Sequence, residues 1–195
     1  MIFTIIALGL FAGKAMASCN AVEIPAGLPP ADEAPIVKYD GDTYKLSPAE
    51  LAALESAIVN GTYFEKPAGM PIIDLQPGTI LDLGVGDTSD ASTGLDKRSG
   101  NRIINIYGGY NCPSFSFIAG VQNFGCGTGC INLGSYGLSA WVAEQYHSNP
   151  YPTGLLYESA GCSGRQQSVG ISGGTNSCTN SNYCSIGSFI GYYNC

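Results

Sequence analysis

The side chains that could carry chemistry are few in the second half of this chain. Residues 99–195 contain one His, His147, two Glu, Glu144 and Glu158, and no Asp. An acid–base carboxylate pair would have to consist of the two Glu, and neither lies in a recognisable motif. A Ser-His-Asp set lacks its Asp, and His147 lies in the turn-rich sequence "YHSNPYP". We therefore expect a protein that is not an enzyme.

Cysteine is the remaining reactive residue type, and its abundance indicates disulfides rather than catalysis. The chain begins with an apolar run, residues 2–12, followed by the small-x-small sequence that a signal peptidase cuts, here after Ala17. An exported chain meets an oxidising compartment, in which cysteines pair. We expect a secreted, extracellular protein. Its eight disulfide candidates are Cys19, Cys112, Cys126, Cys130, Cys162, Cys178, Cys184 and Cys195.

The charges divide the chain into two parts. Residues 18–98 carry thirteen Asp or Glu against five Lys or Arg, whereas residues 99–195 carry two of each kind. A neutral second part has no basic surface for nucleic acid or for an anionic membrane. No stretch after the signal sequence is apolar enough to span a bilayer. The partner classes that remain are proteins and carbohydrates.

The boundary between these parts contains the dibasic pair Lys97-Arg98, at the end of a run of small and polar residues. This is typical of a processing site of the kexin type used in fungal secretory pathways, since a protease needs exposed backbone. We expect a signal peptide over residues 1–17, an acidic propeptide over residues 18–98 and a cysteine-rich domain over residues 99–195.

The propeptide is predicted to be poorly structured, with one short helix. Ser47 is a good N-cap, Pro48 suits the first helical position, and Glu50 completes a capping box. The sequence "GMPIIDLQPGTILDLGVG", residues 69–86, can add short strands. Asn60 begins the sequence Asn-Gly-Thr and is a glycosylation candidate.

Residues 99–195 have the pattern of an all-β domain, because short apolar or alternating runs are separated by Gly, Ser and Asn. Its two halves match each other. Fifty residues separate both Tyr107 from Tyr157 and Cys112 from Cys162. Further matches follow in the same order: Cys126 with Cys178, Cys130 with Cys184, and "LGSY" at 133–136 with "IGSF" at 186–189. We interpret this as two repeats, over about 101–146 and 152–195, each with material for four strands. Eight such strands predict a two-sheet sandwich with Greek-key connections.

The second repeat resembles the signature of the βγ-crystallin family. That signature is an aromatic residue, often followed by Glu, then a second aromatic, a Gly, and a later Ser that locks the folded first hairpin. Tyr157, Glu158 and Gly164 stand in register with it. Cys162 takes the place of the second aromatic, and Ser188 that of the locking Ser.

The first repeat resembles this signature less closely. Tyr107 and Ser135 take the places of the first aromatic and the locking Ser, and Ser114 stands at the Gly position. The resemblance implies a two-repeat Greek-key β-sandwich in which a disulfide at Cys112 and another at Cys162 replace the second rings, in equivalent ways. The sequence does not choose their partners, which would come from Cys126, Cys130, Cys178 and Cys184.

Cys195 makes the cysteine count of the second part odd. It can pair with Cys19 before processing, link two chains into a dimer, or pair within the domain. We expect no metal or other cofactor. Calcium-binding members of the resembled family supply Asn or Asp oxygens near the locking Ser, and here only Asn132 fits.

The remaining function class is binding. Tyr, Asn and Ser on a neutral scaffold suit protein or carbohydrate surfaces, and we expect the most exposed rings in residues 149–153 and 191–195. The resembled family includes small secreted killer toxins and protease inhibitors, which implies a toxin- or effector-like binder of a foreign protein or cell-surface target. The alternatives are a structural cell-wall or spore-associated protein and a protease inhibitor.

The precursor hypothesis predicts the covalent form of the secreted protein. After reduction, its intact mass should show a chain that starts at Ser99 and ends at Cys195, since Lys97-Arg98 is cut. The mass difference before and after reduction counts the disulfides. A reduced chain that still contains residues 18–98 in one piece with the second part would contradict the hypothesis.

Overall fold

The computed structural model describes residues 22–39, 41, 44, 46–50, 52–53, 66, 68–84, 102–145, 151–171 and 173–193. Several predicted features lie outside these residues, namely Ala17, Cys19, Asn60, Lys97, Arg98, His147 and Cys195. The described chain forms eleven strands, one short 3-10 turn at Ser114–Ser116 and helical residues at 48–50 and 52–53. The strands are β1 (Ile36–Lys38), β2 (Ile72–Leu75), β3 (Thr79–Asp82), β4 (Arg102–Tyr107), β5 (Phe117–Gln122), β6 (Cys130–Gly137), β7 (Ser139–Glu144), β8 (Thr153–Ser159), β9 (Ser163–Gly170), β10 (Asn176–Asn180) and β11 (Ile186–Tyr192).

The strands form two sheets. Sheet A has the order β1-β3-β5-β4-β7-β10, and sheet B has the order β2-β6-β11-β8-β9. The two repeats exchange their third strands. Strand β6 of the first repeat joins β8, β9 and β11 of the second, and β10 of the second repeat joins β4, β5 and β7 of the first. The prediction of a mainly β fold with two sheets is confirmed, and each repeat contains four strands as expected.

The main core lies between the two sheets. Ile104 and Val142 from sheet A pack in one cluster with Leu156 and Phe189 from sheet B, and all four are buried. Because strand side chains alternate between faces, the neighbours of these residues point outward. Each outer face carries a smaller apolar cluster of its own. The domain thus has three apolar layers rather than a single one.

Strands β2 and β3 confirm that residues 69–86 add short strands, whereas the prediction of a poorly structured propeptide is wrong for the described residues of that segment. The strands β1, β2 and β3 extend both sheets through parallel pairing, β1 with β3, β3 with β5, and β2 with β6. The physical reason is the alternation of Ile73 and Leu75 toward the core, followed by a turn at Pro77-Gly78, where Gly78 has a φ of 82°. A short alternating run has little stability alone, but it gains a full hydrogen-bonded ladder at the edge of an existing sheet.

The helix predicted at Ser47 is confirmed at its start. Residues 48–50 and 52–53 are helical, the Ser47 N–H donates to the Glu50 carboxylate (2.8 Å), and the Glu50 N–H donates to the Ser47 hydroxyl (3.3 Å). This is the reciprocal pattern of a capping box. Nowhere in the described part of the chain is a helix long and apolar enough to cross a membrane.

The core between the sheets predicts that truncation of Phe189 lowers the free energy of unfolding strongly, whereas truncation of Phe115 leaves it nearly unchanged. Phe189→Ala removes a fully buried ring and should lower the free energy of unfolding by about 3–5 kcal/mol. Phe115→Ala is the matched control, since this ring is exposed and the change should stay within about 0.5 kcal/mol. Denaturant unfolding of both variants measures the difference, and equal effects would contradict this account of the core.

Candidate binding site

The turn between β4 and β5 folds back onto its own sheet and needs local support. Asn111 and Cys112 have φ angles of 64° and 52°, which residues with a side chain rarely adopt. The Ser139 hydroxyl accepts a hydrogen bond from the Cys112 N–H (3.0 Å) and donates one to the Gly109 carbonyl (2.6 Å). Ser139 lies on β7 directly opposite Tyr107 of β4. The neighbouring strand therefore closes this hairpin.

The third strand of the second repeat, β10, completes the closure. Cys178 forms a disulfide with Cys112. Two residues later, the Asn180 side-chain oxygen accepts a hydrogen bond from the Asn111 N–H (2.7 Å), and its amide donates to the Asn111 side-chain oxygen (3.0 Å). One covalent bond and two hydrogen bonds thus hold the two residues with positive φ. We call this Cys-x-Asn contact the clasp.

The hairpin between β8 and β9 is closed in the same manner. Gly161 and Cys162 have φ angles of 71° and 52°. The Ser188 hydroxyl accepts from the Cys162 N–H (2.9 Å) and donates to the Ser159 carbonyl (2.6 Å). Ser188 lies on β11 opposite Tyr157 of β8, as Ser139 lies opposite its own Tyr.

The second clasp comes from β6 of the first repeat. Cys130 forms a disulfide with Cys162, and the Asn132 side-chain oxygen accepts a hydrogen bond from the Gly161 N–H (2.7 Å). Each repeat therefore supplies, from its third strand, the clasp that holds the hairpin of the other repeat. The two Cys-x-Asn triplets, at 130–132 and 178–180, are the sequence signal for this exchange, and the prediction did not include them.

The structure corrects one residue of the predicted signature. Ser135 was expected to lock the first hairpin, but its hydroxyl donates to the Glu23 carbonyl (3.4 Å), and Ser139 closes the hairpin instead. The register of β4 and β7 is the reason, because it sets Ser139 opposite the signature Tyr. Gly164 has a φ of 84°, whereas Ser114 at the matching position begins the 3-10 turn and does not have a positive φ.

The disulfides confirm that Cys112 and Cys162 are bonded in equivalent ways, each to the third strand of the other repeat. The predicted correspondence between Cys126 and Cys178 is wrong, since Cys130 is the residue that takes the place of Cys178. Cys126 and Cys184 each take part in a disulfide as well. The described cysteines include no free thiol.

The two closed hairpins differ in what they expose. In the first, the Phe115 side chain is 81% exposed and that of Tyr110 is 46% exposed. Fifty residues later the second hairpin has Arg165 and Ala160 at these positions. Arg165 donates to the Glu158 carboxylate (2.9 Å from Nε). One hairpin thus presents aromatic rings and the other an ion pair. We call Tyr110 and Phe115 the aromatic tip.

The aromatic tip stands on an ordered support. The Ser116 hydroxyl accepts from the Gly109 N–H (3.0 Å) and donates to the Pro113 carbonyl (2.9 Å), while the Ser116 carbonyl accepts from the Gly108 N–H (2.7 Å). A side chain at Gly109 would place its Cβ 2.7 Å from the Pro113 ring, so this approach requires glycine. A backbone that is held in this way loses little conformational entropy on binding.

The segments in which we expected the most exposed rings are not the ones that expose them. Tyr192 is buried, and Tyr151 and Tyr193 are partly buried against the main core. The Arg102 guanidinium lies over the Tyr193 ring, 4.1 Å from its centre. Among the described residues of the second part, the exposed rings are those of the aromatic tip and Tyr136, which is 55% exposed.

Arg165 and Glu158 form an ion pair in the second part of the chain. The hydrogen bond from Arg165 holds the pKa of the Glu158 carboxyl below its usual range. Glu144 lies opposite Arg102 in sheet A, whereas Glu158 lies on β8 of sheet B, so the two Glu are not neighbours in one sheet. Among the residues that the structure describes, no group of three His, Cys, Asp or Glu could hold a metal ion.

Comparisons with known proteins return no relative: no family model, no curated protein and no solved structure matches this chain. The chemistry of the aromatic tip is therefore the basis for assigning a function.

The hairpin closure predicts matched effects for two serines. Ser139→Ala and Ser188→Ala each leave a Cys N–H and a carbonyl without their partner, which should cost about 1–3 kcal/mol of unfolding free energy. Ser135→Ala is the control and should be nearly neutral, because the hydrogen bond from its hydroxyl to the Glu23 carbonyl is long and exposed. Chemical unfolding of the three variants tests the assignment. A loss at Ser135 as large as that at Ser139 would overturn it.

Proposed function

We propose that this protein is a small secreted, non-enzymatic binder, made as a precursor, that engages a foreign protein or cell-surface target as a toxin or effector does. The aromatic tip is the observation that carries the proposal. One turn exposes 81% of the Phe115 side chain and 46% of the Tyr110 side chain, and large exposed aromatic side chains are candidates for an interaction site. Aromatic rings also dominate the energetics of most protein interfaces.

The proposal includes a fold of two Greek-key repeats of the βγ-crystallin type. Its support is the strand order, in which each repeat gives its third strand to the other sheet. Further support is the recurrence of one closure in both hairpins, with Ser139 and Ser188 opposite the two signature Tyr. A scaffold of this kind fixes each hairpin from two sides and leaves its tip free for contact.

Secretion is supported by the state of the cysteines. Six of them, in the described residues, are disulfide-bonded, and disulfides form and persist in oxidising compartments. Together with the apolar first residues and the sequence before Ala17, this favours an exported protein. The processing at Lys97-Arg98 is part of the same proposal.

A binding role is favoured over catalysis by the surroundings of Glu158. An acid–base group works best with a pKa near the working pH. The hydrogen bond from Arg165 lowers the pKa of the Glu158 carboxyl, away from neutral pH. The aromatic tip itself carries no titratable group except the Tyr110 phenol. Its chemistry suits apolar or stacking contacts with a partner surface.

The test is a variant of the tip with a matched control in the other hairpin. The double variant Y110S/F115S should raise the concentration that inhibits growth of microbial or plant cells about tenfold or more, because the central rings of an interface are lost. Arg165→Ser changes the matching position of the second repeat and should leave inhibition unchanged. Equal losses in both variants would show that the tip has no special role.

The same material separates the alternatives. A protein that inhibits no cells but stays in the wall of its producer would favour the structural cell-wall or spore-associated role. Inhibition of a secreted protease that is lost with Y110S/F115S would favour the protease inhibitor. Activity of the purified protein that disappears with His147→Ala would instead indicate a hydrolase and contradict the non-enzymatic proposal.

A further inference from the structure

The N-terminal segment, by which we mean the described residues between 22 and 84, contacts both sheets along strands of the second part. Strand β3 pairs with β5 over Thr79–Asp82, and β2 pairs with β6 over Ile72–Leu75, each in continuous register. Further backbone hydrogen bonds extend the ladders, from the Gly78 N–H to the Ile118 carbonyl and from the Cys130 N–H to the Pro71 carbonyl. Both β5 and β6 would be edge strands without this segment.

Side chains of the N-terminal segment are part of every apolar cluster. Ile73, Leu75 and Leu81 belong to the main core between the sheets. The outer cluster of sheet B combines Leu46 and Met70 with the signature residue Tyr157. The outer cluster of sheet A combines Ala34 and Ile80 with the signature residue Tyr107. The segment therefore covers the signature Tyr of both closed hairpins.

Polar contacts fix the same segment at both edges. The Asp82 carboxylate accepts hydrogen bonds from the Gln122 amide (3.2 Å) and the Asn123 amide (3.0 Å). At the other sheet, Asp74 accepts a hydrogen bond from the Asn132 amide (2.8 Å). Asn132 is also a clasp residue, so its amide group holds the second hairpin with one atom and the N-terminal segment with the other.

Two glycines of the second part fit the presence of this segment. A Cβ at Gly134 would lie 2.6 Å from the Pro77 ring, and one at Gly108 would lie 2.7 Å from the Ile24 side chain. Neither glycine has a positive φ, so the backbone itself does not demand glycine there. The second part of the sequence thus leaves room for the N-terminal segment at positions where any other residue would displace it.

We propose that the N-terminal segment stays bound after the chain is cut at Lys97-Arg98, so that the mature protein consists of two chains. The surface it occupies, made of the edges of β5 and β6 and the two outer clusters, is a permanent interface for this segment of the same protein. The inference rests on the processing that belongs to the proposed function, but it concerns the fate of the segment and not the target of the aromatic tip.

The experiment uses the full chain with a site-specific protease sequence in place of residues 91–96, so that cutting does not depend on the producer's own protease. Amide hydrogen exchange is followed by mass spectrometry before and after the cut. Amides of β2 and β3 should remain about 100-fold or more slower than in unstructured peptide after cutting. This readout distinguishes a bound segment from one that is detached but still tethered by a disulfide.

Matched variants identify the contacts responsible. After cutting, Ile73→Asp and Gly134→Ala should each speed exchange in β2 and β3 by about tenfold or more. Ile72→Asp is the control on the same strand, because this side chain is 49% exposed against 9% for Ile73. Gly170→Ala is the control for the glycine, since its Cβ would meet no atom closer than 3.6 Å.

The proposal is overturned if the cut wild-type chain exchanges its β2 and β3 amides at the rate of unstructured peptide while the uncut chain protects them. It is also overturned if Ile72→Asp loses as much protection as Ile73→Asp, and Gly170→Ala as much as Gly134→Ala. Neither result would affect the proposed role of the aromatic tip, because the tip is tested by growth inhibition and this interface is not.

Discussion

The clasp is the contact on which the two-sheet arrangement depends. Residues held at positive φ cost about 1–3 kcal/mol each when they carry a side chain, and each hairpin has such a residue at its Cys. A disulfide contributes about 2–4 kcal/mol, and each clasp hydrogen bond adds about 1 kcal/mol. These contributions come from the opposite repeat, across 66 and 32 residues of sequence. Each hairpin therefore draws part of its stability from the opposite repeat, in addition to the Ser contacts of its own repeat.

The contacts that close each hairpin do not involve the residues exposed at its tip. The disulfides at Cys112 and Cys162 hold the backbone of each hairpin, so the side chains at the turn tips are not needed for this. The second hairpin carries the ion pair of Arg165 and Glu158 there, and the first carries the exposed ring of Phe115. An exposed ion pair adds little stability, and an exposed ring adds none. The difference between the two tips is thus one of surface chemistry, on frames that are closed alike.

Local signals were sufficient to predict the strands β4–β11 and the helix start at Ser47, because alternation, turns and capping involve residues close in sequence. The hairpin closure is not local. Ser135 and Ser139 lie 28 and 32 residues after Tyr107, and only the register of β4 against β7 selects between them. The exposure of Phe115 was equally beyond prediction, since it depends on which distant segments leave the turn uncovered. The same holds for β2 and β3, whose alternation was visible but whose partner strands were not.

The N-terminal strands also change which edges the sandwich presents. Without them, β5 would be an edge strand in which five of six residues are buried, and such an apolar edge is a template for aggregation. With them, the edge of sheet A moves to β1, which has three residues and ends in Lys38. Short strands with a charged residue are poor templates for further pairing. The opposite edges, β9 and β10, are rich in Ser, Asn and Gln and need no such cover. The acidic segment thus covers β5, the edge at which the second part of the chain is least suited to face water.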